Sequence, residues 1–342
     1  MTSLTIPEVL QKLLAREDLA ESEVGPLFQS IMTGHCGDSE MAALLIALRM
    51  KGETATEIAA AAQALRDNMI RWDPGVPDVL DTCGTGGDGS STFNISTATA
   101  FVLAGLGVPV VKHGNRSISS KSGSADVLTE LGVAMEDNPA KLRQCLDETN
   151  LAFCFAPLFH PAMRHVSSVR RTLGVPTIFN CLGPLANPAG APRQLLGVGR
   201  FELLDLMAGA LAKLGTKLSI VVCSHDGLDE VSLSAPTRVR IVADGLIQHA
   251  EWKPADFDLE PIELKDIAVN GPAESAEIIR HVLLGVEGPA QRIVLANAAA
   301  GLLAAGKADT LKKGVEMASD ALSSGKALQT LRRLQHLNSP GG

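Results

Sequence analysis

From residue 74 onward, short runs of β-forming residues alternate with helical stretches, and this alternation restricts the chain to a largely parallel sheet with helical, right-handed crossovers. Strands are expected at Val79 to Thr82, Val108 to Lys112, Leu195 to Val198 and Leu218 to Cys223. Helices are expected near Ile95 to Gly105, Ala125 to Leu131 and Phe201 to Leu214. Arg238 to Val242 and Leu246 to Ala250 flank an Ala-Asp-Gly turn and read as a hairpin at the sheet edge. From Ser275 on the pattern is helical, and no internal repeat is visible.

The residues before this alternation behave differently. Thr5 and Glu8 form a capping-box pattern ahead of Val9, Leu10, Leu13 and Leu14 at helical spacing. Three further helices have cores at Val24 to Met32, at Met41 to Met50 behind Asp38, and at Ile58 to Met69 behind a second box at Thr54 and Glu57. Asp73, Pro74, Gly75 and Pro77 then break the periodicity. The expected fold class is α/β, with a small N-terminal helical domain over 1–72 and a large α/β domain over 73–342 built on a mostly parallel central sheet. A length of 342 residues suits one large core with a smaller companion.

Composition narrows the function. A net charge of −8, with no run of Lys or Arg longer than two, lacks the electrostatic footprint of a nucleic-acid binder. An anionic ligand therefore needs a locally basic pocket. The six cysteines form no CxxC pair and no zinc-type spacing, as expected for a reduced, cytoplasmic protein. The acidic N-terminus is not a signal peptide, and the longest apolar stretches fall short of the ~20 residues that span a bilayer, so no membrane role is expected.

The densest chemical signal is Asp81 to Thr97, DTCGTGGDGSSTFNIST. A strand runs into a glycine-rich loop that lets backbone approach a ligand, and Asn94, Ser96 and Thr97 then open a helix, the arrangement of an anion site. Gly84, Gly86 and Gly89 satisfy GxGxxG. A dinucleotide fold, however, requires an acidic residue at the end of the next strand, and here that strand ends in Lys112 and His113. A Walker loop is excluded because no Gly-Lys-Ser/Thr follows.

A second strand–loop–helix unit, VKHGNRSISSKSGSAD over Val111 to Asp126, places Lys112, His113, Arg116 and Lys121 among serines and glycines. Two such loops side by side can hold two phosphate groups. Asp229 and Glu230, in SHDGLDEVS after a strand, suit Mg²⁺, which takes few protein oxygens and completes its shell with water and phosphate. At about 100° per residue, Met163, Val166, Val169 and Leu173 form one helical stripe that includes Arg170, while Arg164 and Arg171 lie opposite. An arginine on a core-facing stripe calls for a carboxylate partner, either a ligand or a protein side chain. Asn180 to Pro188, NCLGPLANP, is a turn-rich segment suited to lining a pocket.

In this order and spacing, the four elements resemble the anthranilate phosphoribosyltransferase family over nearly the whole chain. The resemblance implies a homodimer, a small helical domain completed by about residues 164–183, and phosphoribosyl pyrophosphate (PRPP) bound between the domains. It assigns PRPP to Gly84, Gly87, Asp88, Thr92, Asn94, Ile95, Ser96, Thr97, Lys112, His113, Gly114, Asn115, Arg116, Ser117, Ile118, Ser119, Ser120 and Ser124. Mg²⁺ falls to Ser96, Asp229 and Glu230. Anthranilate falls to Gly84, Asn115 and Arg170, with His113, His160 and Pro184 as pocket wall. The family commonly has Arg where this chain has Pro176, which touches none of these residues.

The implied reaction transfers the phosphoribosyl group to the anthranilate amine, releasing pyrophosphate, in tryptophan biosynthesis. Displacing pyrophosphate builds positive charge on the ribose and negative charge on the leaving group, which Mg²⁺, Lys112 and Arg116 would stabilise. The amine is already a nucleophile at neutral pH, so positioning outweighs a strong base and no catalytic base is assigned. A pyrimidine nucleoside phosphorylase is the runner-up, but its Lys-His-Ser-Thr-Gly loop is absent. A non-catalytic nucleic-acid-binding relative is disfavoured by the acidic charge balance.

Overall fold

The computed structural model describes residues 5–116, 122–136 and 138–337. Four helices open the chain: α1 (Ile6–Leu14), α2 (Glu21–Met32), α3 (Asp38–Lys51) and α4 (Ala55–Asp67). The capping box at α4 is complete, since Thr54 Oγ1 accepts from the Glu57 N–H (3.2 Å) and the Thr54 N–H donates to Glu57 Oε2 (2.8 Å). At α1 only the glutamate half forms, with Glu8 Oε2 accepting from the Thr5 N–H and hydroxyl. Glu57 also accepts from the Leu19 N–H (2.9 Å) and pairs with Lys51 (2.9 Å), and both charged side chains are almost wholly buried. This network joins the α1–α2 loop, the end of α3 and the start of α4.

The larger part alternates as expected: β1 (Leu80–Gly84), α5 (Ile95–Gly105), β2 (Val110–Gly114), α6 (Ser124–Glu130), α7 (Pro139–Thr149), β3 (Leu151–Phe155), α8 (Ala156–Phe159), α9 (Arg164–Leu173), α10 (Phe179–Leu182), β4 (Arg193–Gly197), α11 (Phe201–Lys213) and β5 (Leu218–Ser224). The hairpin β6 (Thr237–Ala243) and β7 (Leu246–Trp252) follows, then α12 (Pro272–Leu283), α13 (Pro289–Ala304), α14 (Leu311–Ser323) and α15 (Lys326–Leu337). The pair α7 and β3 has no counterpart in the sequence reading. The stripe from Met163 to Leu173 is helical from Arg164, where α9 starts, and Pro161–Met163 form a 3-10 turn that leads into it.

The seven strands run in the order β3-β2-β1-β4-β5-β6-β7. β3 to β5 are parallel, while β6 and β7 add antiparallel at one edge, where the hairpin was expected. The chain winds one way from β1 to β3 and the other way from β4, so the direction reverses between β1 and β4. In an open α/β sheet, the crevice at the carboxyl ends of the strands flanking such a reversal is where ligands bind.

The buried side chains form two main cores. One lies between the sheet and α5, α6 and α12 to α15, and includes Phe93, Phe101, Phe257 and Ile293. The other joins the N-terminal helices (Phe28, Ile31, Leu44, Ile58) to Val166, Val169 and Phe179 and to sheet residues Leu196, Val198 and Val221. Helix α4 rests on α11 at Gly209, where an added methyl would stand 2.8 Å from Ala55 Cβ. No described helix is long and apolar enough to cross a membrane.

Candidate active site

β1 and β4 end side by side in glycines, Gly84 and Gly197, paired in register. Asp229 occupies the space that their missing side chains leave. A Cβ on Gly84 would lie 2.5 Å from Asp229 Oδ2, and one on Gly197 would overlap the Asp229 carbonyl. The loop beyond β1 turns at Gly86, Gly87 and Gly89, all with left-handed φ and open space around them. Asp229 Oδ2 accepts from the Gly86 N–H (3.0 Å), so this loop amide is held by the carboxylate.

Glu230 reaches the start of α5, where its Oε1 accepts from the Ser96 N–H (3.1 Å). Lys112, buried on β2, donates to Ser96 Oγ (3.1 Å) and to the Thr82 carbonyl. Ser96 therefore lies between a carboxylate and an ammonium. Both acids keep partial access to solvent, yet burial raises their pKa values. Asp229 is pushed up to about 7, with Asp88 adding to the effect, and Glu230 to about 8, with Asp229 adding. Burial lowers Lys112, opposed first by the charge of Asp81. Neighbouring carboxylates with raised pKa values beside a hydroxyl suit a divalent cation, whose charge would relieve their repulsion. Among the described residues no three His, Cys, Asp or Glu side chains close a cage on their own.

Asn94 caps this arrangement. Its Oδ1 accepts from Ser122 Oγ (2.7 Å) and Ser275 Oγ (2.9 Å), tying the first loop to the second and to α12. Thr92 forms a bridge with Ala268. Asp88 is occupied by Ser90, through its N–H (3.3 Å) and hydroxyl (2.6 Å). Ile95 and Thr97 are buried, with their N–H groups bonded to the Phe93 and Asn94 carbonyls. In the second loop, Gly114 ends β2 against Ser124 and Phe153, Asn115 and Arg116 are exposed, and Arg116 reaches Asp126 at 3.5 Å. Ser117 to Ser120, with Lys121, lie outside the described residues.

On the other side of β2, His113 and His160 form a buried pair with Nε2 to Nε2 at 3.2 Å. His113 Nδ1 faces the Gly183 carbonyl at 3.1 Å, an acceptor only, so Nδ1 bears the proton. The Nε2 of His113 is then an acceptor that faces His160. Burial keeps both rings neutral, with His113 lowered to about 3 and His160 to about 4. Pro184, also buried, follows in the same turn. Arg170 lies half-buried on α9 over the Phe179 ring, 5.7 Å from its centroid. Burial lowers its pKa, and among the described residues no carboxylate pairs with it.

Comparison with known proteins bears directly on this geometry. The helical bundle domain of the glycosyl transferase family matches residues 7–69, and the α/β domain of that family matches residues 76–328. An anthranilate phosphoribosyltransferase of Desulfosudis oleivorans is 46% identical, covering 98% of this chain and 99% of that protein. The chain belongs to the anthranilate phosphoribosyltransferase family. The crystal structure of the Thermus thermophilus member superposes with a TM-score of 0.89 at 41% identity, covering 96% of this chain and 98% of that one. The Saccharomyces cerevisiae member, solved in complex with PRPP and Mg, gives a TM-score of 0.87 at 32% identity, covering 97% of each chain.

The described residues bring the first glycine-rich loop, the acidic pair and the His113–His160 wall to the ends of β1, β2 and β4. Sequence reading missed the groups that buttress them. Asp81 and Asn187 lie buried behind the pocket, Gly197 makes room for Asp229, and Ser275 reaches Asn94 from 181 residues away. Asp81 stood inside the motif that drew attention, but nothing in one sequence says where a strand aspartate points.

Proposed function

We infer that this chain transfers the phosphoribosyl group of PRPP to the amine of anthranilate, giving N-(5-phosphoribosyl)anthranilate and pyrophosphate in tryptophan biosynthesis. The observation that carries this reading is the family's two-loop, acidic-pair architecture at the reversal between β1 and β4, on a chain that its relatives match end to end. PRPP lies along the first loop and the Lys112–Ser124 segment, with Gly84, Gly87, Asp88, Thr92 and Asn94 to Thr97 around its phosphates. Ser96, Asp229 and Glu230 would hold Mg²⁺, which supplies charge neutralisation for the departing pyrophosphate. Lys112, which donates to Ser96 Oγ, adds a cationic group on the side where pyrophosphate departs.

Anthranilate enters on the other side of β2. Its carboxylate meets Arg170, and its ring lies between Gly84, Asn115 and the wall of His113, His160 and Pro184. The neutral imidazoles present no competing charge to the amine. Burial and van der Waals contact orient the acceptor for attack on the anomeric carbon, the role that matters when the nucleophile needs no deprotonation beforehand. The small domain, 1–72 completed by 164–183, and the large domain, 73–342, bring Arg170 and the phosphate loops to the same crevice. Leu14 and Met50, exposed on α1 and α3, offer an apolar face for a homodimer.

The decisive experiment follows loss of anthranilate fluorescence with PRPP and Mg²⁺. Loss that requires all three components supports the reading. Its absence, with release of a free base from thymidine and phosphate instead, would replace it with a phosphorylase. Size-exclusion chromatography with light scattering tests the dimer.

A further inference from the structure

The β1–β2 ladder is in register at Leu80 and Val110. Further along β2, the N–H of His113 is taken by a side chain: Asp81 Oδ1 accepts it at 3.1 Å. The other oxygen, Oδ2, accepts from Asn187 Nδ2 at 2.8 Å, and the same amide donates to the Val111 carbonyl at 2.8 Å. Asp81 has no solvent exposure, and Asn187 and Lys112 have almost none. A buried carboxylate is costly unless it is hydrogen-bonded and faces a cation. Burial pushes the Asp81 carboxyl above its usual range, and what holds it in place is this set of hydrogen bonds; the Lys112 ammonium itself bonds to the Thr82 carbonyl and Ser96 Oγ.

The three links lead to different parts of the site. Lys112 belongs to the phosphate side and His113 to the acceptor side, on successive residues of β2. Asn187 ends the turn that presents Pro184 and the Gly183 carbonyl, on which the His113 ring rests. Resting on the functional reading above, we propose that Asp81 is a positioning residue that sets the two halves of the site in register. Its hydrogen bonds to the His113 N–H and to Asn187 hold the acceptor wall, and because that N–H belongs to the Lys112–His113 peptide they also fix the stretch of β2 that carries Lys112.

The two arms are separable by substitution. Asn187→Ala removes only the turn arm, so the Michaelis constant for the acceptor should rise about tenfold, the loss of one hydrogen bond to a charged group. The constant for PRPP should stay within about twofold. Asp81→Asn weakens the hold on the Lys112–His113 peptide as well, so both constants should rise and kcat should fall. Asp81→Glu keeps the carboxylate but displaces both bonds, and should likewise raise both constants. The role is overturned if a folded Asp81→Asn leaves the PRPP constant unchanged, or if Asn187→Ala moves both constants equally or neither. Should Asp81→Asn fail to fold, the Asn187→Ala split still decides the matter. Turnover by the unsubstituted protein in the same assay tests the functional reading by itself.

Discussion

The guanidinium of Arg170 lies over the ring of Phe179, 5.7 Å from its centroid, with no carboxylate of the described residues beside it. A half-buried cation whose protein neighbour is a π-face remains free to pair with an incoming anion. Arg170→Ala should therefore weaken the acceptor. A charge-assisted hydrogen bond is worth about 1.5–3 kcal/mol, so the Michaelis constant for anthranilate should rise about ten- to a hundredfold, with that for PRPP little changed. Arg171→Ala, on the exposed side of α9, is the control and should be nearly silent. A lowered melting temperature with an unchanged anthranilate constant would assign Arg170 to the helix instead.

With Asp229 raised to about 7 and Glu230 to about 8, Mg²⁺ bound at the proposed site would compete with protons for the two carboxylates. Metal binding should release protons, and apparent affinity should weaken between about pH 8 and pH 6, up to about tenfold per unit for each proton lost. Calorimetry in buffers of different ionisation enthalpy measures the release. The same shifts carry a sign for stability. The folded, metal-free chain binds protons that the unfolded chain has already lost above the ordinary carboxylate range. Stability from this pair is thus lost as pH rises towards 8, and Mg²⁺ or Asp229→Asn with Glu230→Gln should flatten that loss. The double variant should also abolish turnover or greatly weaken it.

Gly84 and Gly89 share a loop but differ in their surroundings. A methyl at Gly84 meets Asp229 Oδ2 at 2.5 Å, whereas one at Gly89 meets nothing within 4 Å. Gly84→Ala should displace Asp229 and raise the Mg²⁺ concentration needed for half-maximal activity. Gly89→Ala should cost only the left-handed backbone penalty, about 1–2 kcal/mol, read as a lower melting temperature with an unaltered Mg²⁺ requirement.

Glu57 should matter to stability and not to chemistry. Its removal leaves Lys51 buried with only the exposed Asp18 nearby, and strips the Leu19 and Thr54 N–H groups of their acceptor. Breaking a buried pair from one side costs about 3–5 kcal/mol, so Glu57→Ala should unfold at a markedly lower denaturant midpoint. Both Michaelis constants of the remaining folded enzyme should be unchanged.

What the sequence made legible follows from the range of each interaction. Helix α5 spans Ile95–Gly105, the limits its pattern implied, because local signals set both ends. The Val166 and Val169 stripe is buried and Arg171 exposed because a helical face is a local property. Strand β3, LAFCF, escaped because a strand buried on both faces shows no alternation, and it follows α7 after a single left-handed residue, Asn150. Helix α7 itself did leave a local trace, with Asn138 accepting from the Ala140 N–H ahead of an N-terminal proline. The bonds that assemble the site are of another kind. Gly86 finds Asp229 across 143 residues and Ser96 finds Glu230 across 134, and the fold alone sets such pairings.

The core that unites the N-terminal helices with one face of the sheet limits how the crevice can open. A free swing would lift α4 from α11 and wet apolar side chains on both, at about 25 cal/mol for every Å² uncovered. Motion that keeps those surfaces covered is a slide of α4 along α11, and the bare backbone at Gly209 is the track it would follow. The same continuity makes residue 73 a poor place to cut the chain. A fragment beginning there would keep its strands and α11 but lose the helices packed on them, leaving apolar residues of the shared core open to water and prone to self-association.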